Sequence, residues 1–102
     1  MIYKGRALSK HPEGYIDKAL FTELEEKEQA AVLGWIHDNI APASRTHKGG
    51  TSYGIKHLIQ FELGIYMTNN QFKDAMLYAG YIPVNQFDLN WKYKIKVKGR
   101  NR

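Results

Sequence analysis

Along residues 91–98, WKYKIKVK, apolar and charged side chains alternate strictly, with Trp91, Tyr93, Ile95 and Val97 against Lys92, Lys94, Lys96 and Lys98. A period of two predicts a strand with one buried and one solvated face. Three other stretches carry helical spacing. Over 22–39, Leu24, Ala31, Val32, Trp35 and Ile36 make an apolar stripe, Glu23, Glu25 and Glu26 form a solvated face, and T-E-L-E from Thr22 has the form of a capping box. Over 52–63, Ile55, Leu58, Ile59 and either Glu62 or Leu63 recur on one side, which leaves Lys56, His57 and Gln60 outside, and Gly64 ends the helix. Over 69–79 the stripe is Phe72, Ala75, Met76 and Ala79, with Asn69, Asn70, Gln71, Lys73, Asp74 and Tyr78 wholly or partly outside. Thr68 and Gln71 make a second capping box there, Met67 and Phe72 are placed as the hydrophobic staple across it, and Gly80 is the stop.

The rest of the chain connects these elements. Residues 1–20 are broken by Gly5, Pro12 and Gly14 and read as a basic arm or a short strand around Ile2 to Leu8. APASRTHKGGTS, 41–52, reads as a loop opening onto the second helix. There Arg45, His47 and Lys48, with Gly49, Gly50, Thr51 and Ser52, suit either a solvated linker or a phosphate clamp. Residues 81–98 are expected to form a β-hairpin and 99–102 a basic tail. At 102 residues this is one domain of the α+β class, three helices followed by a C-terminal hairpin.

Over residues 22–98 that order resembles a helix-turn-helix with a wing, a winged-helix-like domain, which implies nucleic-acid binding. Aligned on Gly64, the helix-turn-helix pattern wants an apolar residue where Asn70 stands, and it recovers with a longer turn. The stretch TSYGIKHLIQFELGIYMTNNQFKDAMLYAGY also resembles small uncharacterised proteins carried by phages and integrating elements of Gram-positive bacteria. That resemblance implies an accessory protein of a mobile element, acting in replication, regulation or counter-defence, and assigns no residue a role.

Charge sharpens the picture. The net charge is +5, and it is segregated. Residues 13–38 hold seven acids against Lys18 and Lys27, whereas 39–102 hold ten bases against Glu62, Asp74 and Asp88. Same-face lysines on a strand sit about 6.6 Å apart and repel unless an anion lies over them. Outward lysines also protect sheet edges from aggregation. Six cations fall within residues 92–102 with no acid after Asp88, more than edge protection needs, so the preferred reading is contact with nucleic-acid backbone, single- or double-stranded. Lys92, Lys94, Lys96, Lys98, Arg100 and Arg102 carry it, with Arg45, Lys48, Thr51, Ser52, Lys56, Asn69, Asn70 and Lys73 as further candidates. The alternative is an acidic protein partner, with the chain acting as an inhibitor or adaptor of a nucleic-acid enzyme or host defence protein.

Other chemistries find little material. There is no cysteine, and His11, His37, His47 and His57 stand at no metal-ligand spacing, so neither a catalytic nor a metal site is expected, and no cofactor. No apolar run is long enough for a membrane span, and the N-terminal residues lack the apolar core of a signal peptide, which leaves a cytoplasmic location as the expectation. Of seven tyrosines, Tyr53, Tyr66, Tyr78 and Tyr93 can offer faces to unpaired bases, although core burial is the better expectation for each, as it is for Trp35 and Trp91.

Overall fold

In the computed structural model, which describes residues 9–10, 16–46 and 50–98, the elements follow in order. They are β1 (Ser9–Lys10), β2 (Ile16–Asp17), a 3₁₀ turn (Phe21–Glu23), α1 (Glu26–Asn39), β3 (Ile40–Pro42), α2 (Ser52–Leu63), α3 (Asn69–Tyr78) and β4 (Ile95–Val97). The fold is α+β with three helices. The arm or strand expected around Ile2 to Leu8 lies outside the described residues; β1 and β2, just beyond it, pair antiparallel with Ser9 opposite Asp17.

α2 and α3 form where local chemistry says they should. Thr51 caps α2, its Oγ1 accepting from Gly54 N at 3.3 Å, and Gly64 closes it at φ 71°, a left-handed conformation that favours glycine. At α3 the capping box is complete. Thr68 Oγ1 accepts from Gln71 N at 3.1 Å, and Gln71 Oε1 accepts from Thr68 N at 3.0 Å. Met67 and Phe72 are both buried, as a staple requires. The helix ends with Gly80 N donating to Leu77 O and Tyr81 N to Met76 O, the paired bonds of a Schellman motif, with Gly80 at φ 95°.

α1 starts later than its sequence suggests. The expected cap at Thr22 is displaced by the 3₁₀ turn, and the helix begins after Glu25, whose amide donates to Glu28 Oε1 at 3.3 Å. The turn is held locally by Leu20 N donating to Glu23 Oε2 at 2.7 Å, and across the fold by Phe21 N donating to Asp74 Oδ2 at 2.9 Å, which ties this segment to α3. Val32, Trp35 and Ile36 are buried, Leu24 is partly so, and Ala31 is exposed.

The expected pairing of the C-terminal strand also needs correction. β4 is present, but its partner is β3, antiparallel, with Ile40 opposite Val97, Ala41 opposite Lys96 and Pro42 opposite Ile95. The pairing continues through Ala43 N to Lys94 O and Lys98 N to Asn39 O. Residues 41 and 42, expected in a loop, are therefore strand. Between α3 and β4 the chain is a loop without a named strand, held to the final segment by Val84 N donating to Lys92 O at 2.9 Å.

One core joins these parts: Phe21, Val32, Trp35, Ile36, Ile55, Ile59, Met67, Phe72, Met76, Trp91, Tyr93 and Ile95. α3 lies inside it, with eight of its ten residues buried. Its polar side is covered by residues 17–21, through Asn70 Nδ2 to Ala19 O at 2.8 Å and Gln71 Nε2 to Leu20 O at 3.3 Å. Asn70, Gln71, Lys73 and Asp74, expected outside, are thus interior, and Ala79, expected inside, is exposed. Asn70 is buried at the position where the helix-turn-helix pattern calls for an apolar side chain; its Nδ2 donates to Ala19 O, while its Oδ1 is buried without a hydrogen-bond partner among the described residues. Among the described residues no helix is long and apolar enough to cross a membrane.

Candidate nucleic-acid interface

The strand expected over 91–98 is shorter in the structure, Ile95–Val97, with an isolated bridge at Lys92 and a bend at Lys94, yet burial still alternates along the segment. Trp91, Tyr93 and Ile95 are buried, Val97 is partly so, and Lys92, Lys94, Lys96 and Lys98 are all exposed. Trp91 Nε1 donates to Gln86 O at 3.0 Å, and the Trp91 and Tyr93 rings meet edge to face at 6.5 Å, so the inner face is fixed and cannot roll outward. Four exposed lysines therefore alternate with side chains anchored in or against the core. Ala41, opposite Lys96 and exposed, adds no bulk over them. Arg45 is exposed and shares a shallow groove with Pro42, Ser44, Thr46 and Lys96.

Other candidate residues are placed differently. Lys73 is fully buried, its Nζ 4.9 Å from the Trp91 ring centroid and donating to Asp88 O at 3.4 Å. It braces the loop against the last strand. Lys56 is buried with its Nζ 5.0 Å from the Tyr53 centroid and 5.5 Å from that of Tyr66; burial pushes its pKa down, and the Asp17 carboxylate opposes that. Asn70 is turned to the 17–21 segment. Asn69 Nδ2 donates to Leu89 O and to Asn90 Oδ1, and Asn69 Oδ1 accepts from Ser52 Oγ, so Asn69 ties α3 to the loop. Ser52, Lys56, Asn70 and Lys73 are thus no part of the accessible surface.

The phosphate clamp expected at the start of α2 is largely spoken for. Ser52 N donates to Trp91 O at 2.8 Å, and Ser52 Oγ accepts from Trp91 N at 3.0 Å. Thr51 Oγ1 holds Gly54 N, and Thr51 forms an antiparallel bridge with Lys92. This end of the helix receives the segment that carries Lys92, and His47 and Gly49 of the expected clamp lie outside the described residues. Lys48, Arg100 and Arg102 lie outside the described residues.

An exposed aromatic row lies along α2. Tyr53, His57 and Phe61 follow at i, i+4 and i+8 and are all exposed, opposite the buried Ile55 and Ile59. Tyr53 and His57 meet edge to face at 4.5 Å, and Tyr66, in the turn to α3, is exposed beside them. The limited burial of His57, and then the Lys56 ammonium, lower its pKa and favour the neutral ring. Of the four tyrosines considered for base contact, Tyr53, Tyr66 and Tyr78 are at the surface and Tyr93 is in the core. The spacing of 53, 57 and 61 was the available signal, masked because aromatic residues usually go inside. A second apolar surface is the loop with Ile82, Val84, Phe87 and Leu89 exposed. Among the described residues no group of three or more His, Asp or Glu side chains is placed to hold a metal ion.

No family model, curated protein or solved structure matches this chain.

Proposed function

We propose that this protein binds nucleic acid through backbone phosphates laid along the exposed side of the final segment, 92–98, with Lys92, Lys94, Lys96 and Lys98 as the contacts and Arg45 at the margin. The carrying observation is that all four lysines are exposed while the alternate residues, from Trp91 to Val97, are anchored in or against the core. Like charges close together on a backbone anchored through its alternate residues repel one another, and a polyanion relieves that repulsion. Lysine is a point charge without the planar fork of arginine, which suits backbone attraction over base reading. A winged-helix-like arrangement is part of the same proposal. Support comes from the three-helix order, the burial of residue 70 and the loop tied back to Lys92. An accessory role in a phage or mobile element is proposed on the sequence resemblance alone.

The test is the salt dependence of binding. Replacing the four lysines with glutamine removes up to four counterion-releasing contacts and should flatten the slope of log K against log salt by about 3, at about 0.7 to 0.9 per contact. A quadruple variant that binds with the parent's affinity and slope but aggregates more readily returns the row to edge protection. A second reading, a protein-binding adaptor, is favoured by the exposed apolar loop from Ile82 to Leu89; it requires a protein partner whose binding is lost on Phe87→Ser and is insensitive to the lysine changes.

A further inference from the structure

Building on the phosphate-binding reading, we infer that the bound form is single-stranded nucleic acid, whose unpaired bases stack on the exposed rings of Tyr53 and Tyr66. The two rings flank the Lys56 ammonium, at 5.0 and 5.5 Å from their centroids, and remain 48% and 59% exposed. Each ring thus gives one side to a buried cation and leaves the rest to solvent. Tyr53 is braced further by an edge-to-face contact with His57, and it stands on a helix capped at both ends. These rings are held in place before any ligand arrives, so little side-chain freedom is lost on stacking.

Charge says what covers them. Thr51 is bridged to Lys92, and Ser52 exchanges two hydrogen bonds with Trp91, so the lysine row runs directly into the end of α2 that carries Tyr53. A backbone tracking Lys96, Lys94 and Lys92 is delivered to the aromatic rings. Basic tracks leading to aromatic platforms bind single strands, because every base has a stacking face and only unpaired bases expose it. A duplex would present phosphates to the lysines and nothing to the rings. Groove reading by α3 is closed as well, since that helix is buried over most of its length.

The experiment uses one single-stranded oligonucleotide of about 12 nucleotides, the same sequence as a duplex, and an abasic strand of equal length. The parent protein is expected to bind the single strand at least about ten-fold more tightly than the duplex or the abasic strand at equal salt. Tyr53→Leu with Tyr66→Leu is expected to weaken single-strand binding by about 20-fold or more while leaving duplex affinity and the salt slope unchanged. Equal binding of base-containing and abasic strands by the parent overturns the inference whatever the variant does, and leaves phosphate binding standing. Binding of no oligonucleotide at low salt removes both readings. Self-association lost in the double variant and undisturbed by the single strand would assign the rings to a second copy of the chain and also overturn the inference.

Discussion

The carboxylate of Asp74 accepts a hydrogen bond from the amide of Phe21 at 2.9 Å, and Asp17 returns the same contact to the amide of Asn70 at 3.0 Å. Each bond spans 53 residues, and together they clasp the 17–21 segment to α3. Either Asp17→Ala or Asp74→Ala is expected to destabilise by about 1 to 3 kcal/mol, since each leaves a buried amide without its acceptor. The double variant should lose less than the sum, because both bonds hold one segment. Additive losses in urea unfolding would show two independent contacts.

Thr68→Ala removes the acceptor of Gln71 N and should destabilise by about 1 kcal/mol, within a range of roughly 0.5 to 2. An unchanged unfolding midpoint would show that the reciprocal box at α3 contributes nothing.

Lys73 and Lys94 separate interior from surface. Lys73→Gln gives up the stacked position over Trp91 and the bond to Asp88 and is expected to destabilise by about 1 to 3 kcal/mol; Lys94→Gln should stay within about 0.5. Oligonucleotide affinity should fall for Lys94→Gln and hold for Lys73→Gln measured where that variant is folded. The reverse order in either assay would misplace one of the two side chains.

Tyr93 links the core to alkaline pH. Its hydroxyl is buried with no hydrogen-bond partner among the described residues, and burial raises its pKa above the ordinary value near 10. Below about pH 10 the hydroxyl is neutral whether folded or unfolded, and stability does not vary through it. Above that, the unfolded chain releases the proton and the folded chain keeps it, so stability falls as pH rises. Tyr93→Phe should remove this part of the alkaline loss and leave neutral-pH stability unchanged or about 1 kcal/mol higher. Some slope should persist through Tyr81, whose pKa burial also raises. Equal alkaline losses in parent and variant would show that Tyr93 titrates normally.

Ala41 lies opposite Lys96 in the β3–β4 pair, and the chain has no native cysteine to interfere. Ala41→Cys with Lys96→Cys should form a disulfide on mild oxidation, since opposed strand residues fall within its Cα range of about 4.4 to 6.8 Å. The bond should stabilise by about 2 to 4 kcal/mol. Two free thiols after oxidation would place the last strand elsewhere.

What could be read from the sequence was what neighbours in the chain decide. Thr51 and Gly64 bound α2, Thr68, Gln71 and Gly80 bound α3, and the 91–97 alternation reports its own two faces. Long-range contacts hid the rest. α1 starts at Glu26, with Glu25 N bonded to Glu28, while Phe21 ahead of it is tied to Asp74 across the fold. Asn70 and Lys73 look solvated by helical periodicity, yet segments distant in sequence cover them. Ile40–Pro42 carries no strand pattern and becomes a strand because β4 reaches it. Of the candidate interface, the lysine row was legible because alternation fixes it, whereas the Tyr53–Tyr66 cluster depended on where the Lys56 ammonium came to rest.

The antiparallel pairing of β3 with β4 bears on how the molecule is made. Three helices leave the ribosome before the strand that supplies Trp91, Tyr93 and Ile95, and at roughly 5 to 20 residues per second the interval between the end of α3 and the end of β4 lasts on the order of seconds. During that interval the nascent chain holds an unfinished core. Because each lysine of the final stretch is interleaved with a residue that closes this core, the charged row acquires its spacing only at the moment the domain seals. A chain made only through α3 therefore has its three helices without the residues that close the core, and the lysines take their alternating exposure only once Trp91, Tyr93 and Ile95 are in place.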